Sequence, residues 1–201
     1  MQMVFAMERG ALALGFAGVI WAAASAAFAD PVSGKEAAKM LFSPKGSELL
    51  MYKVEGLSED SARLLQQVAK DYAYYAAVAI APEEELLKSE ATILVANHNS
   101  VEAASAAALA GCNKARTKGT ECVVAAVVRP AKWKAQPLQL SVEGTVAFKA
   151  DYGKSGERAM AASASTGFFA LASGPGAAAA AIAACNAKGA TDCETVIADA
   201  S

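Results

Sequence analysis

The stretch ALAGCNKARTKGTECVVA, residues 108–125, has a counterpart in AIAACNAKGATDCETVIA, residues 181–198. In each, an alanine-rich run ends in a cysteine, a polar loop follows, and a second cysteine opens a run rich in β-branched residues. Alanine favours helix, while valine, isoleucine and threonine favour strands. The composition therefore predicts helix, loop and strand twice over. Upstream the order repeats too. Residues 75–81 (YAAVAIA) and 92–96 (TILVA) are two short strand-type runs before the first helix, and residues 158–164 and 167–172 (GFFALA) precede the second. Both halves read strand, strand, helix, loop, strand, which points to an internal duplication of a ββαβ unit. The fold class that follows is α+β, with helices packed on a sheet. The order is compatible with one merged sheet or with two sheets back to back.

The units occupy residues 74–130 and 157–199, after an N-terminal segment, 30–73, and around a connector, 131–156. Together they make one domain, 30–201. The N-terminal segment predicts a helix over 34–41, a strand over 48–54 and a helix from an Ser58 cap to about Tyr72. Ala62, Leu65, Val68, Ala69 and Tyr72 lie on the apolar face of that helix. In the first unit Asn99 is the expected helix cap, with Glu102 reaching back as in a capping box, and Val101, Ala104, Ala108 and Cys112 face inward. In the second unit Ser173-Gly174-Pro175-Gly176 starts the helix, with Pro175 at its first position. Residues 138–148 alternate as a strand would, and a helix over 140–148 is the alternative.

Residues 1–29 have the form of a secretory signal peptide. Arg9 supplies the early positive charge, residues 11–28 are apolar, and Ala27-Phe28-Ala29 is a small-x-small cleavage site before Asp30. Met7 offers a second start, and an uncleaved anchor is the alternative. No cysteine stands at the cleavage site, which argues against a lipoprotein. The expected location is periplasmic or secreted, where cysteines pair by default. The chain has 4 Cys. Cys112 with Cys122 and Cys185 with Cys193 are the favoured pairs, because each occupies the same local setting. A zinc site fits poorly, since the spacings are too wide for a knuckle and His98 is alone.

A formal net charge of −2 with no basic stripe argues against nucleic acid as a partner. Residues 177–184 are too short an apolar run to span a membrane, so no stable span is expected after cleavage. Candidate sites are sparse. His98 could act as the base of a hydrolase, with Ser100, Ser163, Ser165 or Thr166 as nucleophile, although no G-x-S-x-G elbow is present. The plainer role for His98 is at a cap or on the surface. Gly174 and Gly176 could seat an anion at a helix start, or simply begin the helix. Glu83-Glu84-Glu85 suits a hard cation or, more simply, a solvated helix start. Trp133, between Lys132 and Lys134, either meets glycan, anionic lipid or a partner, or folds back on the core. Tyr72, Tyr74 and Tyr75 are expected between helix and sheet. No metal and no cofactor is called for.

The Tyr75-Ala76-Ala77-Val78-Ala79 run, Ala107-Ala108-Leu109 before Cys112, and Cys122-Val123-Val124 resemble a group of uncharacterised exported bacterial proteins. Ala181-Ile182-Ala183-Ala184-Cys185 and Asp192-Cys193 carry the same pattern in the second unit. The resemblance covers about residues 74–130 and 157–199 and implies no activity. Some similar sequences bear a 5-aminolevulinate synthase label, which these residues do not support: such an enzyme needs a large pyridoxal-phosphate fold and a Schiff-base lysine. The expected function is a non-enzymatic binding module for an unknown protein or small molecule. The alternatives are a small hydrolase using His98, or a peptidase inhibitor presenting the loop between Cys112 and Cys122.

Overall fold

In the computed structural model, which describes residues 30–200, the strands form two separate antiparallel sheets rather than one. The leader expected over residues 1–29 lies outside the described residues. The chain runs α1 (Gly34–Met40), β1 (Ser47–Met51), α2 (Glu59–Ala69), β2 (Ala76–Ile80), β3 (Thr92–Val95) and α3 (Val101–Ala115). It continues with β4 (Val123–Pro130), α4 (Val142–Asp151), β5 (Arg158–Ser163), β6 (Phe169–Ser173), α5 (Ala177–Asn186) and β7 (Cys193–Asp199). Sheet one has the order β1-β4-β2-β3 and sheet two the order β6-β5-β7. The architecture is thus α+β, and the two ββαβ segments follow one path: the first strand of each is central, flanked by the second and the third.

Detailed correspondences accompany that path. Both cysteine pairs are disulfides, Cys112–Cys122 and Cys185–Cys193, each with Cα atoms 6.0 Å apart. The residue after each helical cysteine holds the next strand. Asn113 Oδ1 accepts from Cys122 N at 2.9 Å, and Asn186 Oδ1 accepts from Cys193 N at 3.2 Å. Each last strand also carries a bulge three residues past its cysteine, at Ala125 in β4 and Val196 in β7. A bulge puts two consecutive side chains on one face. Ala125 and Ala126 accordingly share one core cluster, and Val196 and Ile197 share another.

Each sheet is buried on both faces, which is why its central strand is apolar without alternation. Ala77, Ala79 and Val127 face α3 through Ala104, Ala108 and Cys112, while Ala76, Val78 and Ile80 face α2 through Leu65 and Ala69. In sheet two, Ala159, Ala161 and Ala170 meet Ala177, Ala181 and Cys185 of α5. On its other face Met160, Ala162 and Ile197 meet Ala37 of α1 and Leu140, Phe148 and Tyr152 of the connector and α4. Methyl-sized side chains on both partners allow helix and sheet backbones to come close without voids. The N-terminal segment is tied in where Val32 pairs in parallel with β7, giving Val32 N–H to Val196 O and taking Ala198 N–H.

Several expectations are corrected. Helix α2 ends at Ala69, so Tyr72 lies beyond it; Val68 and Tyr72 are 46% and 42% exposed, because only Leu65 and Ala69, one turn apart, face the sheet. Ser100 rather than Asn99 caps α3, its Oγ accepting from Ala103 N, and Glu102 forms no capping box. The side chain of Asn99 is held elsewhere, as described below. Pro175 precedes the cap of α5: Gly176, left-handed at φ 78°, is the N-cap. Residues 142–151 are helix, not strand. Glu83-Glu84-Glu85 lies in a turn and begins no helix.

Candidate functional site

The site grows from the triplet Asn97-His98-Asn99, where sheet one passes into α3. Asn97 is left-handed (φ 59°), a conformation asparagine tolerates. It moves the strand pairing by one residue, so that His98 rather than Asn97 exchanges backbone hydrogen bonds with Tyr75, at 3.1 and 3.4 Å. Asn99 then turns into the second unit. It is 1% exposed; its Nδ2 donates to Ser163 O at 3.0 Å and Phe168 O at 3.3 Å, and its Oδ1 accepts from Ser141 N at 3.0 Å. Its backbone N–H donates to Thr166 O at 3.1 Å. One side chain therefore joins α3 to the β5–β6 turn and to the start of α4. Gly167 seals the same joint: a Cβ built there would stand 1.8 Å from Asn97 O.

Beside this joint a cleft of about 390 Å³ opens between the units, from Ser100 to Ala106 on α3 and from Ala164 to Glu194 on the other wall. Its apolar lining is Ala103, Ala106 and Ala164, and its charged groups are the carboxylates of Glu102, Asp192 and Glu194, with no cation among its lining residues. Asp192 is fixed in place. Ser163 Oγ donates to its Oδ1 at 2.6 Å and Ser165 N–H to its Oδ2 at 2.8 Å. Partial burial works to raise this carboxyl, but the hydrogen bonds from Ser163 and Ser165 prevail and hold it below the ordinary aspartate value. Ser163 is completely buried and its Oγ also accepts from Thr166 N and Thr166 Oγ1.

His98 is half-buried, with Nδ1 3.2 Å from Ala96 O. The hydroxyl of Ser163 is committed to Asp192, and that of Ser100 caps α3. Trp133 folds back on the core cluster under α3. Its Nε1 donates to Gln139 Oε1, and the Arg129 guanidinium lies 4.9 Å above its ring. Gly174 and Gly176 are both left-handed, and the helix start they form is already served by the chain itself. Glu157 Oε1 accepts from Gly176 N at 2.9 Å and Ala177 N at 3.2 Å. His98, Trp133 and the two glycines thus occupy separate places. Tyr74 and Tyr75 are buried as expected, and burial raises both phenols above their ordinary value; neither hydroxyl has a hydrogen-bond partner among the described residues.

The stapled loop of the first unit is gripped from below. Glu84 Oε1 accepts from Thr117 N, Thr117 Oγ1 and Lys118 N, and Glu83 Oε1 accepts from Thr120 N. A peptidase that engages a loop in extended form uses that loop's backbone N–H groups. Here the Lys118 N–H already belongs to Glu84. Among the described residues, no group of three or more His, Cys, Asp or Glu is placed to hold a metal ion, and no helix is long and apolar enough to cross a membrane. Sequence reasoning singled out His98 and missed its neighbour Asn99 as the joining residue, as well as Asp192 and Glu194. The Asn97-His98-Asn99 run was the available signal, since two asparagines at a strand end mark a turn whose side chains seek partners.

No family model, no curated protein and no solved structure matches the chain.

Proposed function

We propose that the chain is an exported, non-enzymatic binding module that takes a primary ammonium group on an aliphatic stem in the cleft between its two units. The observation that carries this is the pairing of Glu102, Asp192 and Glu194 with alanine methyl groups and no cation in one cleft lining. Carboxylates beside an apolar lining replace the water lost by an ammonium head, while the methyl groups cover its methylene stem. The same chemistry belongs to a free alkylamine and to a lysine side chain of a partner protein. Against the hydrolase reading, the Ser163, Ser100 and Thr166 hydroxyls already serve other groups. Export is supported by the leader-like residues 1–29 and by two disulfides, which persist outside the cytosol. The same reading takes the two units as copies of one ancestral segment, supported by their shared strand path, and places the chain with the exported proteins it resembles.

The test uses oxidised protein recovered from an exporting cell, titrated with 1,5-diaminopentane and separately with a lysine-rich peptide. Saturable amide shifts are expected at residues 100–106 and 192–194, weakened about tenfold by the Glu102→Gln/Glu194→Gln pair. Saturation by the diamine alone identifies a small amine, and saturation by the peptide alone identifies a protein partner. Silence with both probes sinks the proposal. A mass that begins at Asp30 supports export, and a full-length mass overturns that part.

A further inference from the structure

On the far face of sheet two, α1, α4 and the start of β5 enclose a pocket of about 430 Å³ that shares no residue with the cleft. Its charged lining residues are Lys35, Lys149, Lys154 and Arg158, without a carboxylate among them, although the chain as a whole carries a formal charge of −2. Phe148 and Tyr152 also line it, with ring centroids 4.9 Å apart. We propose that this pocket is a binding site for a small molecule bearing an anionic oxygen group, phosphate or carboxylate, on a small apolar body.

The four cations have different duties. Arg158 is anchored: its Nη2 lies 3.1 Å from Asp199 Oδ2, its Nη1 donates to Gly156 O at 2.7 Å, and its guanidinium stands 5.3 Å from the Tyr152 ring centre. Asp199 is thereby balanced, and it also accepts from Gly34 N. Lys149 reaches Phe42 O at 3.3 Å. Lys35 and Lys154 are exposed and form no salt bridge among the described residues, so their charge is available to a ligand. Cations lining a concave wall raise the local concentration of anions, and Phe148 and Tyr152, 7% and 6% exposed, add a small apolar contact. Because the lysines are exposed, the attraction is sensitive to salt.

The test titrates the oxidised protein with phenyl phosphate, benzoate, inorganic phosphate and benzyl alcohol, following amide shifts at residues 148–154. Saturable binding of phenyl phosphate or benzoate is expected, and the tighter of the two names the anionic group. Lys35→Glu/Lys154→Glu is expected to weaken it by about tenfold, and the neutral pair Lys35→Ala/Lys154→Ala by less, with thermal melts unchanged in both. Failure of both aromatic anions to saturate, unchanged affinity in both lysine pairs, or equal binding of benzyl alcohol would overturn the site. Inorganic phosphate binding as tightly as phenyl phosphate would overturn the role given to Phe148 and Tyr152.

Discussion

Asn99 has two side-chain donors and one side-chain acceptor engaged at full burial, each on a backbone group of another segment. Truncation to alanine would leave the Ser141 N–H without its partner and take one donor from each of the Ser163 and Phe168 carbonyls, the latter still accepting from the Ser163 N–H. A buried group deprived of its partner costs more than the hydrogen bond contributed net. Asn99→Ala is therefore expected to lower unfolding free energy by about 3 kcal/mol, read from the urea midpoint at constant slope. A loss under about 1 kcal/mol would show that the joint does not rest on this residue. Tyr75 is the contrasting case, equally buried but with a hydroxyl that bonds to nothing among the described residues. Its contribution is ring packing, including an edge-on contact with Tyr74 at 5.3 Å.

At the scale of elements, each helix–loop–strand hairpin is closed by its disulfide, and a ring of this size contributes roughly 2–3 kcal/mol in the chain-entropy model. The first loop has a further clamp that titrates. The Ser89 hydroxyl and the Thr117 and Lys118 N–H groups hold Glu84 at about 2, against an ordinary value of 4.5. Glu83 is lowered in the same sense, first by the Thr120 N–H. A carboxylate whose value is depressed by folding stabilises fully above its unfolded value, and that contribution is lost as pH falls toward the folded one. Hydrogen-exchange protection of Thr117 and Lys118 should therefore hold at pH 5 and decline between about 4.5 and 2. Glu84→Gln keeps an acceptor oxygen but cannot titrate, so it should flatten that decline. An unchanged decline in the variant would assign it to other groups.

At the scale of the whole molecule, two three-layered units share one narrow joint, so their mutual placement depends on close approach. Gly167 shows this most directly. Its conformation asks nothing unusual of the backbone, yet a Cβ there would overlap Asn97 O at 1.8 Å. Gly167→Ala must push the β5–β6 turn away from the 97–99 triplet. We expect a loss on the order of 1–3 kcal/mol, with amide shifts on both walls of the cleft and weaker binding of any ligand held between them. Full retention of stability and of the cleft resonances would mean the units tolerate a looser contact.

The elements were legible in the sequence because their signals are local. Alanine runs ending in cysteine gave α3 and α5, β-branched runs gave β4 and β7, short apolar runs gave the other strands of the two units, and the equivalent settings of the cysteines gave both disulfides. Capping residues were legible only where no distant group competed. Ser58 caps α2 as its position implies, whereas Asn99 is drawn into the second unit and leaves the cap to Ser100. The Glu83-Glu84-Glu85 run failed for the same reason: its partners are the N–H groups of a loop more than thirty residues away. The basic pocket was not legible at all, since Lys35 and Lys154 lie far apart in the chain and line one pocket only in the folded molecule. By itself the sequence determined the order of helices and strands outside the connector, the two cross-links and the alanine faces that pack, because propensity and periodicity act over a few residues. Tertiary structure alone decided that the strands make two sheets, that Asn99 joins them, and which charges meet in each cleft, because those outcomes depend on contacts between segments far apart in the chain.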